Sequence, residues 1–397
     1  MNCQSCGSEE LEEFLDLHAQ PICNRFLSMR TLLKEYPLRV AFCHKCHLVQ
    51  LVDFPPSQEI WNEDYSYLTG TTPEAREYFD ITAYSLVRRF ELRNGDLVVD
   101  IGSNDGTFLS FMKSHGLNVL GIDASPLAAK EAHGRGVPTI LKRIEDMDMN
   151  ELVSEYGRPK LVTAFNVLAH TDDPHGFLSK VRQLNTNFVT QSHYLPNMVK
   201  WTEYDTIYHE HLRYYTLDSL RTLLEAHDLG VQDMDEVEYY GGSFMITARP
   251  GESAQYFWKD LTEKPYREIE TYRRFASRVN RHAKGLVELL GSLKMQKQKI
   301  IGAGAPMKCS TLLNYCGIGT DYLDYIVERN VKKIGTFVPK SQVPVVPYDQ
   351  IKENPPDYVL ILAWNAARSI MQILRESYDF KGRFIVPIPE PRIIESR

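Results

Sequence analysis

The fold is decided by one stretch of the chain, which reads Val98-Val99-Asp100-Ile101-Gly102-Ser103-Asn104-Asp105-Gly106. The apolar residues before Gly102 predict a strand, and the amphipathic pattern of Thr107–His115 predicts a helix directly after Gly106. Small residues at positions 102 and 106 permit unusual backbone angles and let a ligand approach the main chain. The stretch therefore predicts a strand, a ligand-binding turn and a helix, as in nucleotide-type α/β domains.

Asp123 follows the next apolar run, about 20 residues further on, where a carboxylate can accept both ribose hydroxyls of an adenosine cofactor. The second glycine of a dinucleotide fingerprint is missing, and Asp100 precedes the turn, whereas a pyrophosphate favours a helix N-terminus free of acid. These details favour S-adenosylmethionine over NAD, and a turn without a ligand is the structural alternative. The candidate cofactor-binding residues of this unit are Asp100, Gly102, Asn104, Gly106 and Asp123.

Short apolar runs alternate with amphipathic stretches on both sides of this loop, which predicts a parallel sheet covered by helices. Residues 255–298 predict one or two long helices, and a second strand–helix series follows them. The predicted strands are Leu97–Ile101, Val119–Ile122, Leu161–Phe165, Asn187–Thr190, Lys299–Ile301, Tyr325–Glu328, Tyr358–Trp364 and Arg383–Ile388.

Two CxxC pairs, Cys3/Cys6 and Cys43/Cys46, supply the four thiolates of a closed, structural zinc site. Cys43–His47 also matches the CxxCH pattern of haem attachment, but that reading needs an exported chain and leaves the first pair unexplained. Residues 1–60 hold five Lys+Arg against eight Asp+Glu, which argues against a nucleic-acid-binding zinc ribbon. Reduced cysteines in a small core are the alternative.

A second glycine loop, Lys299–Lys308, contains Gly302 and Gly304 and is expected to open another helix. Its backbone N–H groups and Lys308 suit a diphosphate, although a merely structural turn is nearly as good a reading. Trp364 ends a later strand, where it would stack on a nucleotide base or belong to the core.

Composition limits the class of protein. The chain has 397 residues, 43% hydrophobic and 24% charged, which are globular proportions. It shows no apolar run of about 20 residues and no signal-like start. A net charge of −7 argues against nucleic acid or an anionic membrane as partner. We expect a soluble, cytoplasmic, multidomain protein, with a monomer as the default.

Taken together, the cysteine pairs, the loop Asp100–Gly106, the tract Tyr208–His211 and the late loop Gly302–Lys308 resemble the nucleotide-sugar C-methyltransferases. These enzymes add a branching methyl group to 4-keto-deoxysugars, and the resemblance covers nearly the whole chain. It implies an α/β protein with a small zinc-binding N-terminal domain, a central class I S-adenosylmethionine-dependent methyltransferase (Rossmann-like) domain and a C-terminal Rossmann-like domain. The expected limits are 1–65, 66–285 and 286–397, with the sugar nucleotide between the last two domains.

The resemblance also implies roles for individual residues. His211 matches the family's catalytic base, with Glu210 and Tyr208 beside it. An Asn-x-x-x-His element matches Asn166 and His170, and the tyrosine that follows the zinc domain matches Tyr65 or Tyr67. The chain departs from the family at His209, where some members have Asp. It also departs at residues 191–194, where an acidic segment often stands.

This chemistry requires proton removal beside a carbonyl, which suits a histidine. Glu210 or Glu203 is the candidate partner of the imidazole, and Tyr67, Tyr208 or His170 is the candidate donor to the enolate oxygen. Satisfied core histidines are the alternative in this aromatic segment. The leading hypothesis is a C-methyltransferase that acts on a nucleotide-linked 4-keto-6-deoxysugar. It would add the methyl group at C-3, the carbon next to the keto group. The competing readings are an O- or N-methyltransferase, a nucleic-acid-binding zinc protein and an inactive sugar-nucleotide-binding homologue.

Overall fold

The computed structural model describes residues 2–61, 67–255 and 261–394, and within these ranges the strands form three sheets. The strands are β1 Leu11–Pro21, β2 Glu35–Cys43, β3 Val49–Leu51, β4 Leu97–Ile101, β5 Asn118–Asp123, β6 Thr139–Leu141, β7 Leu161–Phe165, β8 Asn187–His193, β9 Arg213–Tyr214, β10 Leu229–Val237, β11 Ser243–Pro250, β12 Ile300–Ala303, β13 Ile326–Glu328, β14 Val345–Pro347, β15 Tyr358–Ile361, β16 Arg383–Val386 and β17 Arg392–Ile394. The helices are α1 Ser57–Ile60, α2 Pro73–Arg89, α3 Thr107–Ser114, α4 Pro126–Gly134, α5 Met149–Tyr156, α6 Pro174–Leu184, α7 Leu195–Trp201, α8 Leu217–Glu225, α9 Ile269–Met295, α10 Lys308–Cys316, α11 Gln350–Glu353 and α12 Ala367–Tyr378.

The central sheet has the order β10-β11-β8-β7-β4-β5-β6 in the described part of the chain. Strands β4 to β8 run parallel, and β11 runs antiparallel to β8. The chain builds outward from β4 to β6 and then returns to β7, so the order reverses between β4 and β7. Ligands bind at such a reversal, beyond the carboxyl ends of the strands.

The core of this sheet follows the two-residue period of a strand. Val98 packs with Phe79 of α2 and Phe108 of α3 on one face, whereas Val99 packs with Leu178 of α6 on the other. Because both faces are covered, all five residues of β4 are buried. The predicted parallel α/β domain is confirmed.

The C-terminal sheet has the order β14-β13-β12-β15-β16-β17 over the described residues, and its strands run parallel apart from β17. Its order reverses between β12 and β15. The glycine loop after β12 and Trp364 after β15 therefore lie at the same edge.

The N-terminal sheet is antiparallel, with the order β1-β2-β3-β9 among the described strands. Its strand β9 comes from residues 213–214, inside the segment expected to form the central domain, where Tyr214 pairs with Val49. One apolar core joins this sheet to the C-terminal sheet through α9, in which the Tyr272 ring centroid lies 5.1 Å from that of Phe42. The domain limits 1–65, 66–285 and 286–397 stay a prediction. No helix in the described ranges is long and apolar enough to cross a membrane.

Candidate active site and metal centre

Four cysteine sulfurs converge at one end of the N-terminal sheet. The Sγ atoms of Cys3, Cys6, Cys43 and Cys46 all lie within 4.8 Å of one another. Cys3 and Cys46 are 3.4 Å apart, and Cys6 and Cys43 are 3.6 Å apart. A tetrahedral ion with Zn–S bonds of about 2.3 Å needs sulfurs about 3.8 Å apart, so the four thiolates fit zinc and leave no open coordination position.

The histidines of the CxxCH pattern turn away from these sulfurs. The His44 ring contacts Glu12 at 3.1 Å, and the His47 ring contacts Asp218 at 3.0 Å. Their nitrogens therefore bind carboxylates, and the ligand set remains the four thiolates. This arrangement suits a structural ion.

A large cavity of about 1780 Å³ lies between the carboxyl ends of the central strands and the facing loops of the C-terminal sheet. Of the predicted site residues, the cavity wall contains Tyr67, Gly102, Asn104, Asp123, Asn166, His170, Tyr208, His211, Gly304, Lys308 and Trp364. Tyr65 lies outside the described residues. The remaining predicted residues, Asp100, Gly106, Glu210 and Gly302, are buried behind this wall.

The glycine loop after β4 forms one end of the cavity. Gly102 has a φ of 68°, and a Cβ there would stand 2.4 Å from a methyl carbon of Val167. The Asn104 N–H donates to one Asp123 oxygen at 2.8 Å, and the Ser125 N–H donates to the other at 2.7 Å. Each carboxylate oxygen has a second lone pair, so Asp123 can still accept two ribose hydroxyls. The loop thus fits an adenosine cofactor.

Two other residues of the predicted loop support it from behind. Asp100 accepts a hydrogen bond of 2.6 Å from Thr163 Oγ1, and burial raises the pKa of Asp100 to about 8. Gly106 has a φ of 71°, and a Cβ there would press on Ala132 and Val137 at 3.1 Å. These residues hold the turn against the sheet and helix α4.

The predicted base, His211, lies in a cluster of aromatic and imidazole rings on the cavity wall. Its Nδ1 lies 2.8 Å from the Thr206 carbonyl oxygen, which can only accept, so Nδ1 carries the proton. The Tyr208 hydroxyl then donates to Nε2 across 3.0 Å. Burial and the nearby His193 lower the pKa of His211 to about 3, so the free imidazole is neutral.

His170 lies beside this pair, with its ring centroid 4.9 Å from that of His211. Its Nδ1 is buried without a hydrogen-bond partner among the described residues. Burial keeps the pKa of His170 well below its ordinary value. A neutral imidazole with one unused, buried nitrogen therefore lies beside His211.

Neither carboxylate expected as the His211 partner contacts that ring. Glu210 turns to Cys23, whose thiol donates to it at 3.5 Å, and burial raises the pKa of Glu210 to about 7. Glu203 lies 3.5 Å from His193 instead. The structure places the Thr206 carbonyl where the carboxylate was expected. His209 is also buried, and its Nε2 bonds the Pro37 carbonyl.

The opposite wall comes from the C-terminal sheet. Gly304 has a φ of 79°, and a Cβ there would stand 2.8 Å from Ala363. Lys308 Nζ lies 3.5 Å from the centroid of the Trp364 ring, with no hydrogen-bond acceptor among the described residues. Burial lowers the pKa of Lys308, while Asp205 and Glu203 oppose that effect.

Sequence reasoning missed Asp205, which accepts a 2.6 Å hydrogen bond from the Trp364 indole N–H. This contact joins the aromatic tract of the central segment to the C-terminal sheet. The only sequence signal is an acidic residue inside a run of aromatic ones, which does not identify its partner. Glu328, at the end of β13, instead accepts the backbone N–H groups of Ala305, Arg329 and Asn330.

Comparison with known families gives matches along almost the whole chain. Residues 3–61 match a family described as "Putative zinc binding domain", residues 75–233 a "Methyltransferase domain" and residues 238–389 a "C-methyltransferase C-terminal domain". The chain is 32% identical over 410 residues to the C-methyltransferase NovU of Streptomyces niveus, which covers 99% of this chain and 97% of NovU.

Solved structures resemble part of the chain. Magnesium protoporphyrin IX methyltransferase of Synechocystis, with bound SAM, is 15% identical, with a TM-score of 0.35 over 44% of this chain and 79% of that one. An S-adenosylmethionine-dependent methyltransferase of Clostridium acetobutylicum is 14% identical, with a TM-score of 0.36 over 44% of this chain and 92% of that one.

Proposed function

Because the chain belongs to the C-methyltransferase family that carries an N-terminal zinc-binding domain, we propose that it methylates a nucleotide-linked 4-keto-6-deoxysugar. The methyl group would be added to the ring carbon next to the keto group, at C-3. The observation that carries the proposal is the neutral His211–Tyr208 pair, which lies on the same cavity as the Asp123 loop and the C-terminal glycine loop.

In this proposal, His211 removes the proton from the carbon beside the keto group. The Thr206 carbonyl fixes the proton of the resting imidazole on Nδ1, so Nε2 keeps the lone pair that a base needs. The Tyr208 hydroxyl, now bonded to Nε2, would turn to the substrate when the sugar enters. The C–H electron pair becomes the C=C bond of the enolate while the C=O π pair moves to the keto oxygen, so the imidazolium and the enolate charge arise together in a buried site.

The enolate oxygen needs hydrogen-bond donors aimed at it before the reaction begins. Tyr208 and Tyr67 line the cavity and carry hydroxyl groups, and the His170 ring lies beside that of His211. Glu210 faces Cys23, so we propose that it supports the His211 segment through packing and touches no substrate.

Gly102, Asn104, Asp123 and Asn166 would hold S-adenosylmethionine, which is the cofactor of this fold. When bound, this cofactor supplies an activated methyl group. Asp123 would accept the ribose hydroxyls, while Gly102 lets the turn pack tightly against Val167 at the cavity wall. The sugar carbon must lie between this loop, which would hold the methyl donor, and His211, which would remove the proton.

For the nucleotide half of the substrate, we propose the C-terminal wall. Lys308 offers an ammonium group, and the main chain offers the N–H groups of Met307 and Lys308 at the start of α10. Arg329 and Lys332 add positive charge at the same rim. Trp364 is covered on one face by Lys308, so the other face is the candidate stacking surface.

The test is incubation with S-adenosylmethionine that carries a ¹³C-labelled methyl group and a panel of nucleotide-linked 4-keto-6-deoxysugars. Carbon NMR should show a new methyl group bonded to a ring carbon. A methyl group on oxygen or nitrogen would contradict the enolate step. Absence of transfer to any sugar, with both ligands shown to bind, would instead indicate a binding protein without this activity.

A variant of the base gives a second check. His211→Asn should abolish turnover while the affinity for S-adenosylmethionine, measured by calorimetry, stays near wild type, because His211 lies outside the Asp123 loop. Retained turnover would contradict the role given to His211. His133→Asn, at an exposed histidine of α4, is the matched control.

A further inference from the structure

His193 and Glu203 form a close pair at one wall of the cavity, with Glu203 buried and the His193 side chain 16% exposed. His193 ends β8, and Glu203 directly precedes the turn Tyr204–Thr206. His193 Nε2 lies 3.5 Å from Glu203 Oε2, and the Glu203 side chain is 2% exposed. Neither atom has a hydrogen-bond partner among the described residues. Two buried polar atoms that face each other without other partners are costly unless they share a proton.

The pair meets the cavity through His193, while Gly241 of the cavity wall lies beside Glu203. His193 itself lies on the cavity wall, and its ring centroid is 6.3 Å from that of His211. Gly241 covers Glu203 and has a φ of 89°. A Cβ at this glycine would meet Glu203 Oε2 at 3.4 Å and the Trp364 ring at 3.2 Å. Glycine therefore keeps this corner open beside Glu203.

We propose that His193 and Glu203 act together as a hydrogen-bond donor to the keto oxygen of the substrate. The proposal rests on the proposed function, since it names the group that faces the developing enolate charge. His193 Nε2 turns towards Glu203, so Nδ1 is the ring nitrogen left for the substrate.

The donor property depends on how many protons the pair holds. With two protons, the pair is either a carboxyl beside a neutral imidazole or a carboxylate beside an imidazolium, and Nδ1–H can point to the cavity in both forms. With one proton, Nε2–H would donate to the carboxylate, and Nδ1 would carry only a lone pair. A lone pair would repel the enolate oxygen, so loss of one proton switches the donor off.

The surroundings favour the two-proton form near neutral pH. The charged and titratable groups that face the pair are Asp205, Lys308 and His211. Burial and Asp205 raise the pKa of Glu203 to about 8, while burial and Lys308 lower the pKa of His193 to about 4. The carboxyl therefore keeps its proton at pH 7, and activity should fall as the pH rises through about 8.

The experiment compares three variants of the full-length protein with wild type. His193→Leu removes the donor and should lower kcat by about 10²–10³-fold, the usual loss for one oxyanion donor. His193→Asn should recover part of that loss, because its amide N–H can replace Nδ1–H. Glu203→Gln keeps an amide donor to Nε2 at every pH, so its kcat should no longer fall as the pH rises through about 8.

A second readout separates enolate formation from a general structural defect. Solvent deuterium exchange at the carbon beside the keto group, followed by NMR with S-adenosylhomocysteine in place of the methyl donor, should slow in His193→Leu as kcat does. Cofactor affinity and the melting temperature should stay near the values of the His133→Asn control.

Each outcome bears on a different statement. Wild-type protein that methylates no keto sugar would overturn the proposed function. Active wild type with an equally active His193→Leu variant would overturn the role of the pair alone. A Glu203→Gln variant whose activity falls above pH 8 as in wild type would also overturn the role of the pair. Because glutamine has nearly the same shape as glutamate, this variant still tests the role if His193→Leu fails to fold.

Discussion

Replacement of Arg213 by methionine tests how the zinc-binding unit is held to the loop that carries His170. Arg213 is 1% exposed, and its guanidinium bonds the Gln4 side chain between the first two zinc ligands at 2.7 Å. It also bonds the carbonyl oxygens of Leu168 and Thr171, which flank His170. One buried side chain thus connects the metal centre to the candidate active site.

The magnitude follows from the acceptors that Arg213→Met would leave without a donor. Gln4 Oε1 and the Thr171 carbonyl would lose this buried partner, and each unpaired buried group costs about 1–3 kcal/mol. The variant also avoids the desolvation penalty of a buried guanidinium that has no carboxylate partner among the described residues, and this offsets part of the loss. We expect the free energy of unfolding to fall by about 2–4 kcal/mol.

The assay is urea unfolding followed by circular dichroism, with zinc content measured on the same samples. Arg274→Met is the matched control, because Arg274 is 73% exposed and pairs only with Glu270 among the described residues. That variant should change the unfolding free energy by less than about 0.5 kcal/mol. If Arg213→Met is as stable as this control, Arg213 does not join the two sites.

Three further predictions concern the metal, the cofactor and pH. Cys43→Ala should remove the bound zinc and lower the melting temperature, because three thiolates leave the ion open to water; an unchanged zinc content by mass spectrometry would contradict a four-thiolate site. Asp123→Ala should weaken S-adenosylmethionine binding by about 10–100-fold in calorimetry, the effect of losing a hydrogen bond to a charged group; unchanged affinity would remove Asp123 from the cofactor site. Asp100 has a pKa of about 8 in the folded protein, above its ordinary value, so the folded state prefers its protonated form and wild type loses stability as the pH rises from about 4 to 8. Asp100→Asn should lack this loss, and parallel unfolding curves for both proteins from pH 5 to 8 would refute the shift.

The sequence predicted most of the parallel strands because buried strands form short apolar runs between helix patterns. Leu97–Ile101 and Leu161–Phe165 were predicted with the bounds that the structure has. The antiparallel strands were missed, since β1 mixes acidic residues with half-buried apolar ones and gives no clear run. Strands β10 and β11 were missed as well, because the pairing of a strand depends on the whole sheet and not on the local sequence pattern.

The candidate site was predictable where a local motif fixes the geometry. The CxxC pairs and the loop before Asp123 are such motifs, and their residues come together as expected. The partner of His211 was not predictable, because a main-chain carbonyl from Thr206 leaves no mark in the residue types. The contact between Asp205 and Trp364 joins residues 159 positions apart, so it depends on the tertiary fold.

The strand β9 has a consequence for synthesis of the chain on the ribosome. The four zinc-binding cysteines and strands β1 to β3 leave the ribosome early. The edge of β3 stays unpaired until Arg213 and Tyr214 have been synthesised and can pair with Gln50 and Val49. At roughly 5–20 residues per second, that delay lasts about 10–30 s. Early zinc capture would hold the nascent hairpin in register during this interval, while the exposed strand edge remains a point for wrong pairing. Fragments that end before Tyr214 should therefore aggregate even when they bind zinc.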